Sequence, residues 1–392
     1  MSNLRADNAV VLVKAESTPG VKASLNASTD AVLVENIEIN IDPNIVQTDE
    51  KTGTLDPSAP IPGGVRVGAT FEVWMKGTST PGTAPQWGEL AKICGLQELI
   101  TASAVPAAAE AAAAGSSTTL TLGAGAAGTL NAYRGMPINL TENPEDGNTD
   151  FIIDYTASKV ATLGEEYDTA LDDTTEYQIP VNVLYRLAST DLPTASIEIY
   201  MDGIKYELIG CVGDINLAAD AGSAGKFTFT ISGLLTAAGK VDAEVPSAVY
   251  DSDANGDFIQ PPVWKNGKMF IDRVARGLSQ FSIGTNNEID YAPNPNELEG
   301  FDVPEIKRRR VAGTMDPNEV LVDTSNMLAK VRSGAKFPIV AQAGTVPGNR
   351  WAVVVSSAQA TNETPGDRNR TATVTIPFVG TGPEKGFFLC LY

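Results

Sequence analysis

The sequence predicts a mainly β fold: two β-sandwich or barrel modules, each with a flanking helix, and a small β-domain inserted into the first. Three observations carry that prediction. Alternation of apolar and polar residues recurs along much of the chain. The 36 glycines and 24 prolines are spread throughout and mark many turns between short elements. Helix-like stretches are few, and the elements around two of them follow the same order. A length of 392 residues leaves room for two or three domains with ample core.

The first strands are expected at 9–14 and 31–41, the latter alternating as VLVENIEINI with Val32, Val34, Ile37, Ile39 and Ile41. From Asp42 to Gly64 the chain carries Pro43, Pro57, Pro60 and Pro62 without periodicity, which predicts a long extended arm. Loops of more than about 12–15 residues without structure are uncommon unless they serve a function. A strand returns at 65–76, VRVGATFEVWMK. A helix follows over 86–94, with Trp87, Leu90, Ile93 and Cys94 as its structural residues and Gly95 closing it.

The alanine-rich segment 106–117, PAAAEAAAAGSS, reads as a short helix or hinge at the entrance to an insertion. Short alternating strands fill 118–180, and the host resumes with strands at 195–200, 205–217 and 226–235. The boundaries are therefore 1–104 and 181–245 for the first module, 105–180 for the inserted β-domain, and 246–392 for the second module.

The second module reads as a repeat of the first. Residues 203–234 overlay 348–379 without gaps, setting Tyr206 on Trp351, Leu208 on Val353 and KFTFTI on TATVTI. Strands at 280–290 and 306–313 precede a helix at 323–333. There Leu328, Ala329, Lys330 and Val331 stand before Gly334, as Leu90, Ala91, Lys92 and Ile93 stand before Gly95. This pattern predicts an internal duplication.

Composition narrows the function. With 48 acidic and 28 basic residues the formal net charge is -20, which disfavours nucleic-acid and membrane binding. The chain has no histidine, which excludes Ser-His-Asp and Cys-His catalysis and His-based metal ligation. Cys94, Cys211 and Cys390 lie far apart, so neither a zinc site nor a disulfide framework is expected. The opening MSNLRADNAVVLVKAE has only a short apolar run, and no stretch approaches a membrane span; synthesis in a reducing cytoplasm is the expectation. No cofactor and no enzymatic activity are predicted.

Individual motifs point the same way. GAGAAG at 123–128 satisfies a GxGxxG spacing, but Gly135 and Pro137 interrupt any helix that could present amides to a phosphate. Asp251, Asp253, Asn255 and Asp257 imitate the start of a calcium loop, yet Pro262 replaces the closing Glu; a polar turn and a weak calcium site are the two readings. Lys307, Arg308, Arg309 and Arg310 form the dense basic run, read either as subunit contacts to carboxylates or as a solvated strand face. Glu165, Glu166, Asp168, Asp172 and Asp173 read as a solvated acidic face, with a cation or glycoside site as the sharper alternative. Cys94 reads as a small buried hydrophobe.

Taken together, VLVKAESTPGV, NASTDAVLVENIEI, the proline-rich arm and GVRVGATFEVWMKGTSTPGTAPQWGELAKICGL resemble the start of tail tube (major tail) proteins of long-tailed bacteriophages. The most specific part is TxGTAPxWGxLxxxCG, matched by Thr80, Gly82 to Pro85, Trp87, Gly88, Leu90, Cys94 and Gly95. IEIYMDGIKYELIGCVGDINL with GKFTFTISGL resembles that family's hairpin and following strand, and STTLTLGAGAAGTLNAYRGMPINL resembles small β-domains of phage tail proteins. The resemblance is strongest over 9–100 and 195–240.

The resemblance implies a structural virion protein, assembled in the bacterial cytoplasm and located in the virion tail. Its rings stack into a hollow tube through which DNA passes without specific binding. Its partners are further copies of itself, with tape measure and tail terminator or distal tail proteins. If each chain supplies two modules, three chains make a pseudo-sixfold ring. The arm, through Asp42, Pro43, Asp49, Glu50, Lys51, Asp56 and Pro57, is suited to reach a neighbouring ring. A minor tail or baseplate component and a carbohydrate-binding β-protein are the alternatives.

Overall fold

The computed structural model describes residues 4–51, 53–56, 58–141 and 147–392. Strands hold 50% of the chain and helices 3%, so the architecture is mainly β, with the largest sheet curling as a half-barrel. The chain opens with β1 (Ala9–Ala15), β2 (Ala31–Val32), β3 (Glu35–Val46) and β4 (Ile61–Trp74), then α1 (Gly88–Ile93) and β5 (Leu96–Thr101). Next come β6 (Val105–Ala111), β7 (Ala114–Gly115), β8 (Thr119–Thr121), β9 (Pro137–Leu140), β10 (Asn148–Tyr155), β11 (Val160–Leu163) and β12 (Glu176–Ile179). They are followed by β13 (Asn182–Leu187), β14 (Ala195–Met201), β15 (Ile204–Asp220) and β16 (Lys226–Asp242). Beyond residue 246 lie β17 (Lys268–Ile271), β18 (Val274–Ala275), β19 (Leu278–Gly284), β20 (Asn287–Asp290), β21 (Glu305–Arg309) and β22 (Ala312–Pro317). The chain ends with α2 (Met327–Ser333), β23 (Lys336–Ala343), β24 (Trp351–Ala360), β25 (Thr364–Arg368), β26 (Thr371–Gly380) and β27 (Phe388–Leu391).

Two sets of strands share one antiparallel pairing order. The first runs β1-β14-β15-β16-β4-β3. The second runs β17-β23-β24-β26-β22-β19. Each set also has a two-residue strand beside its first member, β2 on β1 and β18 on β17. The gapless overlay of 203–234 on 348–379 holds on only one strand at a time. It would set Ala360 on Ile215 and Phe378 on Gly233; Ala360 pairs Phe378, whereas Ile215 pairs Phe229. The hairpin register has slipped while the strand order is the same.

Alternation builds the core of the first set: Phe227, Phe229 and Ile231 point inward from β16, with Ile215, Leu217 and Ala219 from β15. One apolar cluster continues from Phe71, Trp87 and Phe229 into Phe281, Trp351 and Phe378, so both sets share a core. Strand β15 pairs β19 directly, Asn216 opposite Gly284 through Asp220 opposite Gln280.

Residues 105–179 form a separate seven-stranded sheet, β6-β12-β9-β10-β11-β8-β7. Here the alanine-rich 106–117 corrects the helix-or-hinge expectation. Most of it is strand, with Ala111 opposite Glu176 and Val105 opposite Ile179, because pairing overrides the helix propensity of alanine. The apolar side of this sheet packs on the second set. Ile138, Phe151 and Tyr177 share a cluster with Phe270, Val340, Val354 and Phe388. Strands β23, β24 and β27 are thereby buried on both faces, which is why WAVVV and FFLCL read as unbroken apolar runs. Lys385 ties to Asp154 at 3.1 Å and Lys268 to Glu165 at 3.3 Å across this contact.

The helices are shorter than expected. Helix α1 starts at Gly88, not Gln86, and α2 starts at Met327, not Asp323, because Asn326 caps it by accepting from the Ala329 amide at 2.9 Å. The run 280–290 divides into β19 and β20, with the left-handed Asn286 (φ 47) between them.

On the first set, Glu198 and Glu207 face each other across β14 and β15. Lys22 bridges them at 2.8 and 2.5 Å, and Lys205 lies 3.3 and 2.6 Å from the same pair. Burial pushes the Glu207 carboxyl up, but Lys205 and Lys22 outweigh it and hold it at about 2, below its ordinary 4.5. A depressed carboxylate contributes its stability above pH 4.5 and loses it as pH falls through about 2. Replacing Glu207 with glutamine is therefore expected to lower stability by about 1–3 kcal/mol at neutral pH. Thermal unfolding across pH checks this: the gap to wild type should close as pH falls from 4.5 toward 2. A gap independent of pH contradicts the assignment.

Candidate assembly surfaces

The arm is a hairpin at its base. Residues 42–46 of β3 pair with 61–66 of β4, Asp42 opposite Arg66 and Val46 opposite Ile61, with a bulge between Pro43 and Ile45. Both ends of the expected arm at 42–64 are thus strand, since proline is tolerated at a sheet edge or bulge, where no ladder N–H is needed. Glu299 accepts from the Val65 amide at 2.7 Å, and the Arg66 guanidinium lies over Phe301 at 4.3 Å and Tyr291 at 5.1 Å. Beyond this anchor Ile45, Val46, Leu55 and Ile61 are exposed. Asp42, Pro43, Asp49, Glu50, Lys51 and Asp56 are exposed as well, with Asp49 and Lys51 paired at 2.9 Å; Pro57 lies outside the described residues.

The basic run separates into different roles. Arg309 turns inward, donating to the Gly95 carbonyl at 3.2 Å and to the Ala188 carbonyl, and burial pulls its guanidinium down from its ordinary value. Asn287 donates to the Cys94 carbonyl at 2.8 Å, so β20 and β21 cap the C-terminal end of α1. Lys307 pairs with Glu305 at 2.5 Å. Arg308 and Arg310 are exposed, with no ion pair among the described residues. Together with Leu192 and Glu384, this run lines a cleft of about 550 Å³.

Leu90 and Ile93 of α1 and its capping residues Trp87 and Cys94 are all buried. Trp87 donates to the Lys76 carbonyl at 2.7 Å and packs on Phe227 and Tyr185, ring centroids 4.8 and 5.3 Å away. Burial, with the Asp214 charge adding to it, pushes the Cys94 thiol well up, away from nucleophilic use. A Cβ at Gly88 would overlap the Tyr185 hydroxyl, which donates to Glu98 at 2.7 Å. Gly88→Val is expected to cost about 1–3 kcal/mol, read by urea unfolding. An unchanged midpoint would contradict this packing.

The remaining motifs make local contacts. The Asp251 carboxylate accepts from the Gln86 amide at 3.3 Å, while Asp253 accepts from Asn255 at 2.8 Å and Asp257 at 3.0 Å. These are turn contacts, and among the described residues no three His, Cys, Asp or Glu side chains gather as a metal site. At GAGAAG the Glu110 carboxylate accepts from the Gly125 amide at 2.9 Å, where a phosphate oxygen would be needed. In the acidic run, Glu165 pairs with Lys268 and Asp172 accepts from the Thr174 amide at 2.8 Å. One buried acid carried no sequence signal. Asp150 accepts from the Phe151 amide at 2.7 Å and the Tyr167 hydroxyl at 3.0 Å, and burial pushes its carboxyl up to about 6. No helix among the described residues is long and apolar enough to cross a membrane. Comparison with protein-family models and with curated proteins finds no match to the chain.

Proposed function

We propose that this chain is a non-catalytic structural subunit that assembles into stacked rings, forming a tube of the bacteriophage tail type through which DNA passes. The observation that carries this reading is the strand order found twice in one chain. Two similar units side by side let three chains build a wall of six, and a closed ring protects strand edges that would otherwise aggregate. The TxGTAPxWGxLxxxCG resemblance supports the tail tube assignment, and the exposed arm suits contact with a neighbouring ring. The net charge of -20 suits a lumen that repels phosphates and lets DNA slide.

Electron microscopy of the purified protein tests the proposal. Rings or tubes with an open lumen are expected. A protein that stays monomeric at all concentrations, or binds glycans as a discrete oligomer, would overturn it.

A further inference from the structure

The junction inside the chain has two open counterparts at its ends. In the second set β19 takes the place of β3: each is the last strand of its order, paired to β22 or β4. Strand β25 takes the place of the far half of β15, because β25 pairs β26 as residues 214–218 pair β16. Inside the chain that half of β15 pairs β19. Strand β3 pairs only β4, and β25 only β26, among the described residues. The chain thus makes the junction once and leaves both halves of a second junction unpaired.

Exposure marks the open half. Ile283 faces Gly313 and is 1% exposed at the internal junction. Its counterpart Ile41 faces Val67 in the same way and is 45% exposed. An exposed apolar edge strand is a template for pairing with another chain.

We propose that β3 of one chain pairs antiparallel with β25 of a second copy, repeating between chains the β15–β19 junction made within each. The inference rests on the ring assembly proposed above. The internal register sets Asn216 opposite Gly284 and Ala218 opposite Ser282. Carried to the open edges, it sets Gly366 opposite Asp42 and Arg368 opposite Asn40. The turn that follows β25, Asn369 and Arg370, then comes to the part of β3 that carries Glu38; Arg370 and Glu38 are both exposed and of opposite charge.

Cysteine cross-linking tests the register on a clean background, since Cys94, Cys211 and Cys390 are all buried. Asp42→Cys and Gly366→Cys variants of the full chain are mixed and oxidised mildly. Opposed strand residues lie within disulfide reach. The mixture should give at least tenfold more covalent dimer than either variant alone, or than Asp42→Cys mixed with an exposed Asn255→Cys control. A charge swap guards against a local folding defect. Glu38→Arg or Arg370→Asp alone should weaken ring formation, and the two together in one chain should restore it. Rings that form normally without the specific cross-link or the charge rescue would overturn this interface while leaving the ring reading standing. A wild-type chain that never self-associates would overturn both.

Discussion

Trp351→Ala should lower the stability of the whole chain by about 3–5 kcal/mol, the range for removing a buried tryptophan or phenylalanine. Trp351 is fully buried at the start of β24, with Trp264 packed edge-on at 5.9 Å and β23 and β27 paired on either side. Trp351→Phe should cost much less: it keeps most of the ring, and the indole Nε1 it removes has no hydrogen-bond partner among the described residues. Because one apolar cluster joins Trp351 to Trp87 and Phe229, the two sets of strands should melt together. Circular dichroism should show a single transition displaced downward in Trp351→Ala. Two transitions, with only one of them displaced, would contradict the continuous core.

Excising residues 47–60 and closing the gap with Asn-Gly should abolish tube elongation and leave the fold nearly unchanged. Val46 and Ile61 already face each other, so a two-residue turn closes the hairpin without altering its register. No described residue of the excised tip belongs to the buried core, and Leu55 is exposed. Thermal stability should stay within about 1 kcal/mol of wild type. Negative-stain images should show rings that do not stack. Tubes of ordinary length from the excised variant would remove the arm from the assembly account.

Legibility in the sequence followed the range of the interactions. Strands in β3, β4, β15 and β16 were visible because one face is buried and side chains alternate. The burial of Cys94 followed from its place beside Leu90 and Ile93 on a helix with no histidine to activate a thiol. The docking of 105–179 onto the second set was not predicted, although WAVVV and FFLCLY held a signal of burial on two faces. The roles within Lys307 to Arg310 were not legible, since Arg309 acts through the carbonyls of Gly95 and Ala188, far away in sequence. Lys22 with Glu198 and Glu207 was missed for the same reason. Two glutamates need a shared lysine only once their strands are known to be neighbours.

The most direct test of the central claim is the number of chains in one layer of the assembled tube, read by cryo-electron microscopy. Three chains per layer, with six similar β units around the lumen and each chain supplying two, is the predicted result. Six chains per layer, or a ring whose β units show no approximate sixfold relation, would contradict it.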